Sequence, residues 1–192
     1  MNIGKYVEEE LMAFIPVYLN MKGNCTAIYT YKSGEIYIDK SLRSFLNCLG
    51  KYFLIDLKES RKHYGNLLNV NNLVPIPFNR ENIFIPIKTR KPISRNDGAL
   101  GYININYIDK IEEGLNGVNI FLKPNYKIKS LNTLKTVEKH INNGEIVRKF
   151  YDEREKGIYE TIAFYDEYNK PATKGDIAIL REELLKIKET LE

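Results

Sequence analysis

The sequence has few of the residues that build disulfides, metal sites and catalytic centres. It contains two cysteines, Cys25 and Cys48, and two histidines, His63 and His140. Two cysteines cannot form a disulfide framework, and neither has a second cysteine at the C-x-x-C spacing of a metal or redox site. The G-x-S-x-G, P-loop and G-x-G-x-x-G motifs are missing as well. We therefore expect a protein that is not an enzyme and that needs neither a metal ion nor a cofactor.

Long apolar runs are also missing. No stretch approaches the roughly 18 apolar residues of a membrane-spanning helix. Residues 1–10 show no basic start that leads into an apolar run, as a secretory signal would. We therefore expect no membrane contact and a cytoplasmic location, where free cysteines stay reduced. Hydrophobic residues at 43% and charged residues at 28% are typical of a folded globular chain.

Positive charge is concentrated in the middle of the chain. Residues 58–151 carry sixteen basic and eight acidic side chains, whereas residues 152–192 carry seven and eleven. The segment 88–95, K-T-R-K-P-I-S-R, places four cations in eight residues around a proline. Such a cluster is typical of a surface that contacts phosphates. A solvated loop beside a strand would have the same composition, so the charge alone leaves both interpretations open.

Alternation of apolar and polar residues predicts an α+β fold, with a strand-rich antiparallel sheet of about six to eight short strands. The predicted strands, which include two hairpins, are 11–17, 25–31, 35–38, 73–77, 83–87, 101–108, 118–123 and 126–129. The first contains Pro16 and is interpreted as an edge strand, where a missing backbone N–H costs no hydrogen bond.

Three helices are predicted as well. The helix 41–50 begins at the N-cap Ser41 and ends at Gly50. The helix 134–154 has a break at Asn143-Gly144. An amphipathic helix follows at 174–191. We accordingly divide the chain into a domain of residues 1–151 and a helical C-terminal segment of residues 152–192.

The C-terminal helix carries one apolar stripe. Its members are spaced three and four residues apart, which is the pattern of a helix-packing seam. They are Ile177, Leu180, Leu184, Ile187 and Leu191. The stripe either packs on its own domain or mediates contact with another copy of the chain or with a different partner.

Five short motifs in the middle of the chain follow a helix that contains Cys48. They are Ser60-Arg61-Lys62, Val74-Pro75-Ile76, Ile83-Phe84-Ile85-Pro86-Ile87, Gly101-Tyr102-Ile103 and Val147-Arg148-Lys149-Phe150. In this order, the motifs resemble the ComK family of competence transcription factors over roughly residues 12–151. Three positions depart from the family, because Ser60, Ile87 and Tyr102 stand where it has glycine, threonine and tryptophan. The resemblance implies a turn at the Ser60-Arg61-Lys62 motif.

The resemblance also implies a function. ComK-like proteins are transcriptional activators that bind double-stranded DNA at paired A/T-rich boxes, through the minor groove, as dimers that associate further. The expected partners are therefore A/T-rich duplex DNA and other copies of the chain, and the expected targets are competence or related genes. Better-known members are also handed to a degradation adaptor through an apolar segment. The tail after Tyr151 shows no similarity to that segment.

Candidate DNA-binding residues follow from charge and loop placement rather than from the family motif. Arg, Lys and Asn side chains suit the minor groove, because narrow A/T-rich grooves attract cations and present acceptors at the base edges. The candidates are Lys58, Arg61, Lys62, Lys88, Arg90, Lys91, Arg95 and Asn96.

Two other functions fit the sequence. The first is a protein–protein adaptor that acts through the C-terminal helix and binds no nucleic acid. The second is RNA binding, in which strand tyrosines stack on bases. The candidate stacking residues are Tyr29, Tyr31, Tyr102 and Tyr107. Strand tyrosines are more often half-buried packing residues.

Overall fold

The computed structural model describes residues 2–94, 97–168 and 173–191, and the side chains of 155–168, 176 and 189–191 lie outside that description. The chain divides into two units, Met1–Asp152 and Glu153–Glu192. Helices and antiparallel strands both contribute to the first unit, so the predicted α+β class is confirmed. No helix among the described residues is long and apolar enough to cross a membrane.

The elements follow one another with short connections. They are α1 (Ile3–Glu8), β1 (Leu11–Leu19), β2 (Gly23–Thr30), β3 (Gly34–Ile38), α2 (Leu42–Tyr52), α3 (Leu57–Leu68), β4 (Ile76–Asn79), β5 (Asn82–Lys88), β6 (Leu100–Asn104), a 3-10 turn (Ile105–Tyr107), β7 (Ile108–Gly114), β8 (Gly117–Leu122), β9 (Tyr126–Ser130), α4 (Leu134–Tyr168) and α5 (Lys174–Leu191). Both predicted hairpins are present, as β2–β3 and β8–β9.

Six strands form one antiparallel sheet in the order β3-β2-β1-β6-β5-β4, and β7, β8 and β9 form a second sheet. The prediction that the first strand is an edge strand is wrong, because β1 pairs with β2 on one side and β6 on the other. Its pairing with β6 covers only Ala13 and Phe14. Pro16 lies beyond this segment, so its missing N–H does not interrupt the β1–β6 ladder.

The six-stranded sheet is buried on both faces. On one face, Phe14 and Phe84 pack with Phe45 of α2, and the Phe14 and Phe45 ring centroids are 5.0 Å apart. On the other face, Ile85 belongs to a cluster with Ile120 of the second sheet. The alternation of side chains along β5 divides that strand between the two clusters. Burying each large apolar side chain contributes about 1.5–3 kcal/mol, so both clusters stabilise this arrangement.

The predicted strand 101–108 is two strands in different sheets. Asn104, which is fully buried, ends β6. Its side-chain oxygen accepts a hydrogen bond from the Asn106 amide (3.2 Å), and its side-chain nitrogen donates to the Glu81 carbonyl (2.8 Å). These bonds cap a 3-10 turn and redirect the chain into β7. Period-two alternation could not reveal this change of direction.

One glycine predicted to end a helix and one predicted to break a helix both lie inside continuous helices. The helix α4 passes through Gly144, where a Cβ would lie 2.8 Å from a methyl carbon of Ile85 and 2.8 Å from one of Ile105. The helix α2 passes through Gly50, where a Cβ would lie 3.0 Å from the side chain of Leu57. Both residues are glycine because a neighbouring element approaches the helix closely at that point.

The turn that the ComK resemblance implies at Ser60-Arg61-Lys62 is wrong, because all three residues lie inside α3. This helix was not predicted. Asp56 is its N-cap and accepts hydrogen bonds from the Lys58 and Glu59 amides at 2.8 and 3.1 Å. These bonds lower the pKa of Asp56, led by the one from Glu59. A carboxylate at this position stabilises a helix start, so the three motif residues lie in a helix rather than in a turn.

The predicted C-terminal helix is present as α5, and the Ile177 amide donates to the Thr173 carbonyl at 3.2 Å. The preceding helix α4 extends beyond the predicted end at residue 154 to Tyr168.

Candidate nucleic-acid interface

The exposed face of α2 carries cations at helical spacing. Arg43, Asn47 and Lys51 are four residues apart, so they lie on one side of the helix. Phe45 and Leu49 are fully buried on the opposite side, against the six-stranded sheet. The packing of the apolar side therefore fixes the direction in which the basic side faces.

A cavity of about 700 Å³ lies between α2 and α3. Arg43 and Lys51 of α2 line it together with Lys58 and Arg61 of α3. Asp56 is the one carboxylate among the described residues that line this cavity. Four cations against a single carboxylate give it a positive electrostatic potential.

A second cavity of about 470 Å³ shares Arg43, Leu46 and Arg61 with the first. It adds Arg90, from the segment after β5, and Asn24 from β2. The described residues that line it include no carboxylate. Because the two cavities share three lining residues, they are adjacent, and we call the two together the basic groove. Its cations are Arg43, Lys51, Lys58, Arg61 and Arg90.

Arg61 is held in the groove by the hydrophobic core. Its Nη2 donates a hydrogen bond to the hydroxyl of Tyr102 at 3.2 Å. The Tyr102 ring is stacked on Phe14 with centroids 5.2 Å apart and an interplanar angle of 19°. One donor of the guanidinium is therefore fixed by a buried ring, and its other donors remain to contact an anion in the groove.

The Arg90 side chain joins neighbouring segments of the protein, a role that its charge alone did not indicate. Its Nε donates to the Gly98 carbonyl at 2.8 Å and its Nη2 to the Asn24 side chain at 2.7 Å. The guanidinium also lies over the Tyr18 ring, 4.0 Å from the centroid. Its Nη1 is buried and makes no hydrogen bond with the described residues. We conclude that Arg90 adds positive charge to the groove, whereas its Nε and Nη2 donate hydrogen bonds to neighbouring segments.

We call the segment 89–99 the basic loop, and its described parts, 89–94 and 97–99, are hydrogen-bonded to β1. The Tyr18 hydroxyl donates to Asp97 Oδ2 at 2.5 Å and accepts a hydrogen bond from the Ile93 amide at 3.1 Å. The same Asp97 oxygen accepts from the Ser94 amide at 2.8 Å. These contacts lower the pKa of Asp97, with the bond from Tyr18 as the largest cause. The carboxylate therefore stays ionised and holds the loop at neutral pH.

The structure brings part of the predicted DNA-binding set together. Lys58 and Arg61 line the basic groove, and Lys62 is exposed on the same helix. Lys62 follows Lys58 by four residues, so both lie on one face of α3.

The remaining predicted residues lie at or after the end of β5. Lys88 is exposed, and it pairs with Leu100, which lines the groove. Lys91 is exposed in the basic loop. Arg95 and Asn96 lie outside the described residues.

Several groove residues were missed in the sequence. Arg43 and Lys51, with Asn24 and Asn47, belong to the segment 1–57, whose positive and negative charges balance. A regional sum of charge hides such residues, because it ignores the side of the helix on which each one lies. The four-residue spacing from Arg43 to Lys51 on the polar side of a predicted helix was the available signal.

The tyrosines proposed for RNA stacking do not form an open platform. Tyr29 and Tyr102 are buried, with 9% and 6% exposure. Tyr31 faces Tyr107, whose hydroxyl donates to a carboxylate oxygen of Glu10 at 3.2 Å. Burial and this carboxylate raise the pKa of Tyr107 to about 12. Two of the four rings are inaccessible and one lies beside a negative charge, which disfavours base stacking.

The apolar stripe of α5 is exposed. Ile177, Leu180, Leu184 and Ile187 have exposed fractions between 56% and 63%. The side chain of Leu191 lies outside the described residues. Four exposed aliphatic side chains along one face of a helix mark an interaction surface.

No protein-family model matches the chain, and no curated protein or solved structure is significantly similar to it. The resemblance to the ComK family therefore stays a prediction, and the functional argument depends on the groove itself.

Proposed function

We propose that the basic groove binds double-stranded DNA and that the protein regulates transcription from A/T-rich sites. The observation that carries the proposal is the convergence of five cations from α2, α3 and the basic loop on one surface with one lining carboxylate. Among the described residues, none of these five cations forms an ion pair. The charge of the four cations on α2 and α3 is therefore available to phosphates, whereas Arg90 adds positive potential but has its Nε and Nη2 donors occupied.

The shape of the groove favours a polyanion over a small anion. Its cations are spread over two adjacent cavities of about 700 and 470 Å³ rather than gathered around one point. Nucleic-acid backbones present phosphates at regular intervals, so an extended row of cations can bind several of them at once. The same row would bind a single phosphate less tightly, because only a few cations could reach it.

Two arguments support a preference for A/T-rich sites and for the minor groove. The groove contains arginines together with Asn24 and Asn47, residue types that read the A·T pattern of the minor groove. The resemblance to the ComK family implies the same binding mode, with competence or related genes as targets. Self-association through α5 would place two basic grooves on one DNA molecule, as paired boxes require.

The test is binding of the full chain to a fluorescent A/T-rich duplex, followed by anisotropy at graded salt. A G/C-rich duplex and a single-stranded RNA of equal length serve as alternative ligands. The proposal expects the tightest binding to the A/T-rich duplex and a steep loss of affinity as salt rises. Undetectable duplex binding at low salt would contradict the proposal, and tighter binding to the RNA would replace it.

The exposed stripe of α5 favours a second candidate, a protein–protein adaptor that binds no nucleic acid. Under this alternative the groove variants Arg43→Gln and Arg61→Gln would leave the function in cells intact, whereas Leu180→Lys would abolish it. Under the DNA proposal the groove variants would abolish regulation.

A further inference from the structure

The basic loop carries one large apolar side chain that is almost fully exposed. Ile93 is 78% exposed and follows Lys91 and Pro92 in the loop. A single exposed isoleucine is ordinary on a protein surface. What distinguishes Ile93 is that it follows Arg90, which lines the basic groove, and that its backbone amide is hydrogen-bonded to Tyr18.

One hydrogen bond holds the backbone of Ile93, and two further hydrogen bonds to Asp97 fix the groups on either side of it. Its amide donates to the Tyr18 hydroxyl at 3.1 Å, and that hydroxyl donates to Asp97. The next amide, of Ser94, donates to the same carboxylate oxygen of Asp97 at 2.8 Å. Arg90 covers the Tyr18 ring at 4.0 Å. Because these hydrogen bonds hold the backbone at Ile93 and Ser94 before binding, insertion of the Ile93 side chain into another molecule would cost little conformational entropy.

A second exposed apolar tip lies on the neighbouring loop. Met21, in the turn between β1 and β2, is fully exposed. Tyr18 and Asn24, on either side of that turn, contact Arg90 of the basic loop. Two loops with exposed aliphatic tips therefore meet at one end of the basic groove.

We propose that Ile93 inserts between two stacked base pairs from the minor groove while the cations around it bind the flanking phosphates. The proposal rests on the proposed DNA binding. The gap between unstacked base pairs is an apolar site that accepts an aliphatic side chain, and pyrimidine–purine steps such as TA open at the lowest cost. The ligand class is thus an A/T-rich duplex that contains a TA step, rather than a stiff A-tract.

The test uses a duplex with 2-aminopurine in place of the adenine of a central TA step, because the fluorescence of this base rises when it is unstacked. The wild-type protein is expected to raise the fluorescence on binding. Ile93→Ala is expected to bind with an unchanged salt dependence but without the fluorescence rise. Ile93→Leu retains an aliphatic side chain of the same size and is expected to restore it.

Leu115→Ala is the matched control. Leu115 is fully exposed at the tip of the β7–β8 hairpin and does not line the basic groove. We expect this variant to behave as the wild type in both measurements. For Ile93→Ala, we also expect the preference for the TA duplex over an A-tract duplex to fall about tenfold, which is about 1.4 kcal/mol.

The outcomes separate the two proposals. Binding without a fluorescence change in the wild-type complex would overturn the insertion and leave the proposed DNA binding standing. A rise of equal size with Ile93→Ala would also overturn the role of Ile93. A chain that binds no duplex at all would overturn both proposals.

Discussion

Arg61 of α3 donates a hydrogen bond at 3.2 Å to the hydroxyl of Tyr102, a buried residue of the central strand β6. Tyr102 is itself stacked on Phe14. The position of a groove cation is therefore set by the hydrophobic core. This contact links the packing of the sheet to the electrostatics of the surface on which the proposed function depends.

The first prediction concerns this contact. Tyr102→Phe keeps the ring on Phe14 but removes the oxygen that orients Arg61. We expect DNA affinity to fall by about 0.5–1.5 kcal/mol, the usual net value of one hydrogen bond. Tyr37→Phe is the control, since the exposed Tyr37 donates to Glu35 outside the groove. Anisotropy with the A/T-rich duplex measures the effect, and equal affinities for the two variants would contradict it.

The second prediction concerns Arg43, which lines both cavities. If about five phosphates are neutralised per subunit, log K should fall against log salt with a slope near −4.5. Arg43→Gln should weaken binding to all duplexes and make that slope shallower by about 1. Lys129→Gln, on the exposed side of β9, removes a cation outside the groove and should leave the slope unchanged. An Arg43→Gln slope equal to that of the wild type would exclude a phosphate contact.

How far the sequence predicts this fold depends on the kind of signal. The hairpin β2–β3 was predicted because its residues alternate and Gly34 supplies the left-handed turn residue (φ 80°). The helix α3 was missed, since its segment was interpreted through its charge. The break expected at Gly144 is instead a close approach of α4 to Ile85. A glycine at an interface and a glycine at a helix end look alike until the partner is known.

The candidate site could be predicted only in part, because contacts between distant segments place several of its residues. Lys58 and Arg61 were found because they belong to a segment with excess positive charge. Arg43 comes from a segment with balanced charge and reaches the groove only through the packing of α2 against the sheet. The hydrogen bonds that fasten Arg90 are long-range contacts, which sequence spacing does not contain.

The third prediction concerns the DNA groove that is bound. Replacing A·T pairs by I·C pairs preserves the pattern of donors and acceptors in the minor groove and changes the major-groove edge. We expect the affinity for an A/T-rich site to survive this replacement. Competition anisotropy between the two duplexes is the measurement. Loss of binding to a duplex with similar groove shape would show that the major groove is read instead.

The fourth prediction concerns His140 of α4, which is 6% exposed and whose two ring nitrogens have no hydrogen-bond partner among the described residues. Burial, and to a lesser extent the charge of Lys139, lowers the pKa of His140 below 6.5. The folded chain therefore holds neutral histidine, while the unfolded chain takes up a proton below about pH 6.5. Stability is full above that pH and is lost as the pH falls towards the folded-state pKa.

Thermal unfolding between about pH 7 and pH 5.5 measures this effect, because ionised carboxylates change little in that window. The melting temperature of the wild type should fall, and His140→Leu should flatten the profile. His63→Gln, an exposed position on α3, should retain the wild-type slope. A profile for His140→Leu as steep as that of the wild type would assign the pH dependence to other groups.

The fifth prediction concerns self-association through α5. The double variant Leu180→Lys and Leu184→Lys places two charges in the stripe, and we expect it to be monomeric in sedimentation and to bind DNA more weakly. The loss of affinity follows because two linked half-sites give an avidity that a single one lacks. Ile179→Lys with Leu185→Lys is the matched control, since both residues are exposed apolar positions of α5 outside the stripe.

Thermal unfolding distinguishes this interpretation from packing of the stripe within its own chain. Burial of each aliphatic stripe residue is worth about 1.5–3 kcal/mol, whichever chain provides the contact. If the stripe is buried between copies, association stabilises the wild type more at higher protein concentration. The melting temperature of the monomeric double variant should then no longer depend on concentration. If the stripe is buried within one chain, the substitutions remove the burial energy from the monomer itself. The double variant would then melt earlier at every concentration while its oligomeric state stayed unchanged, and α5 would belong to the core.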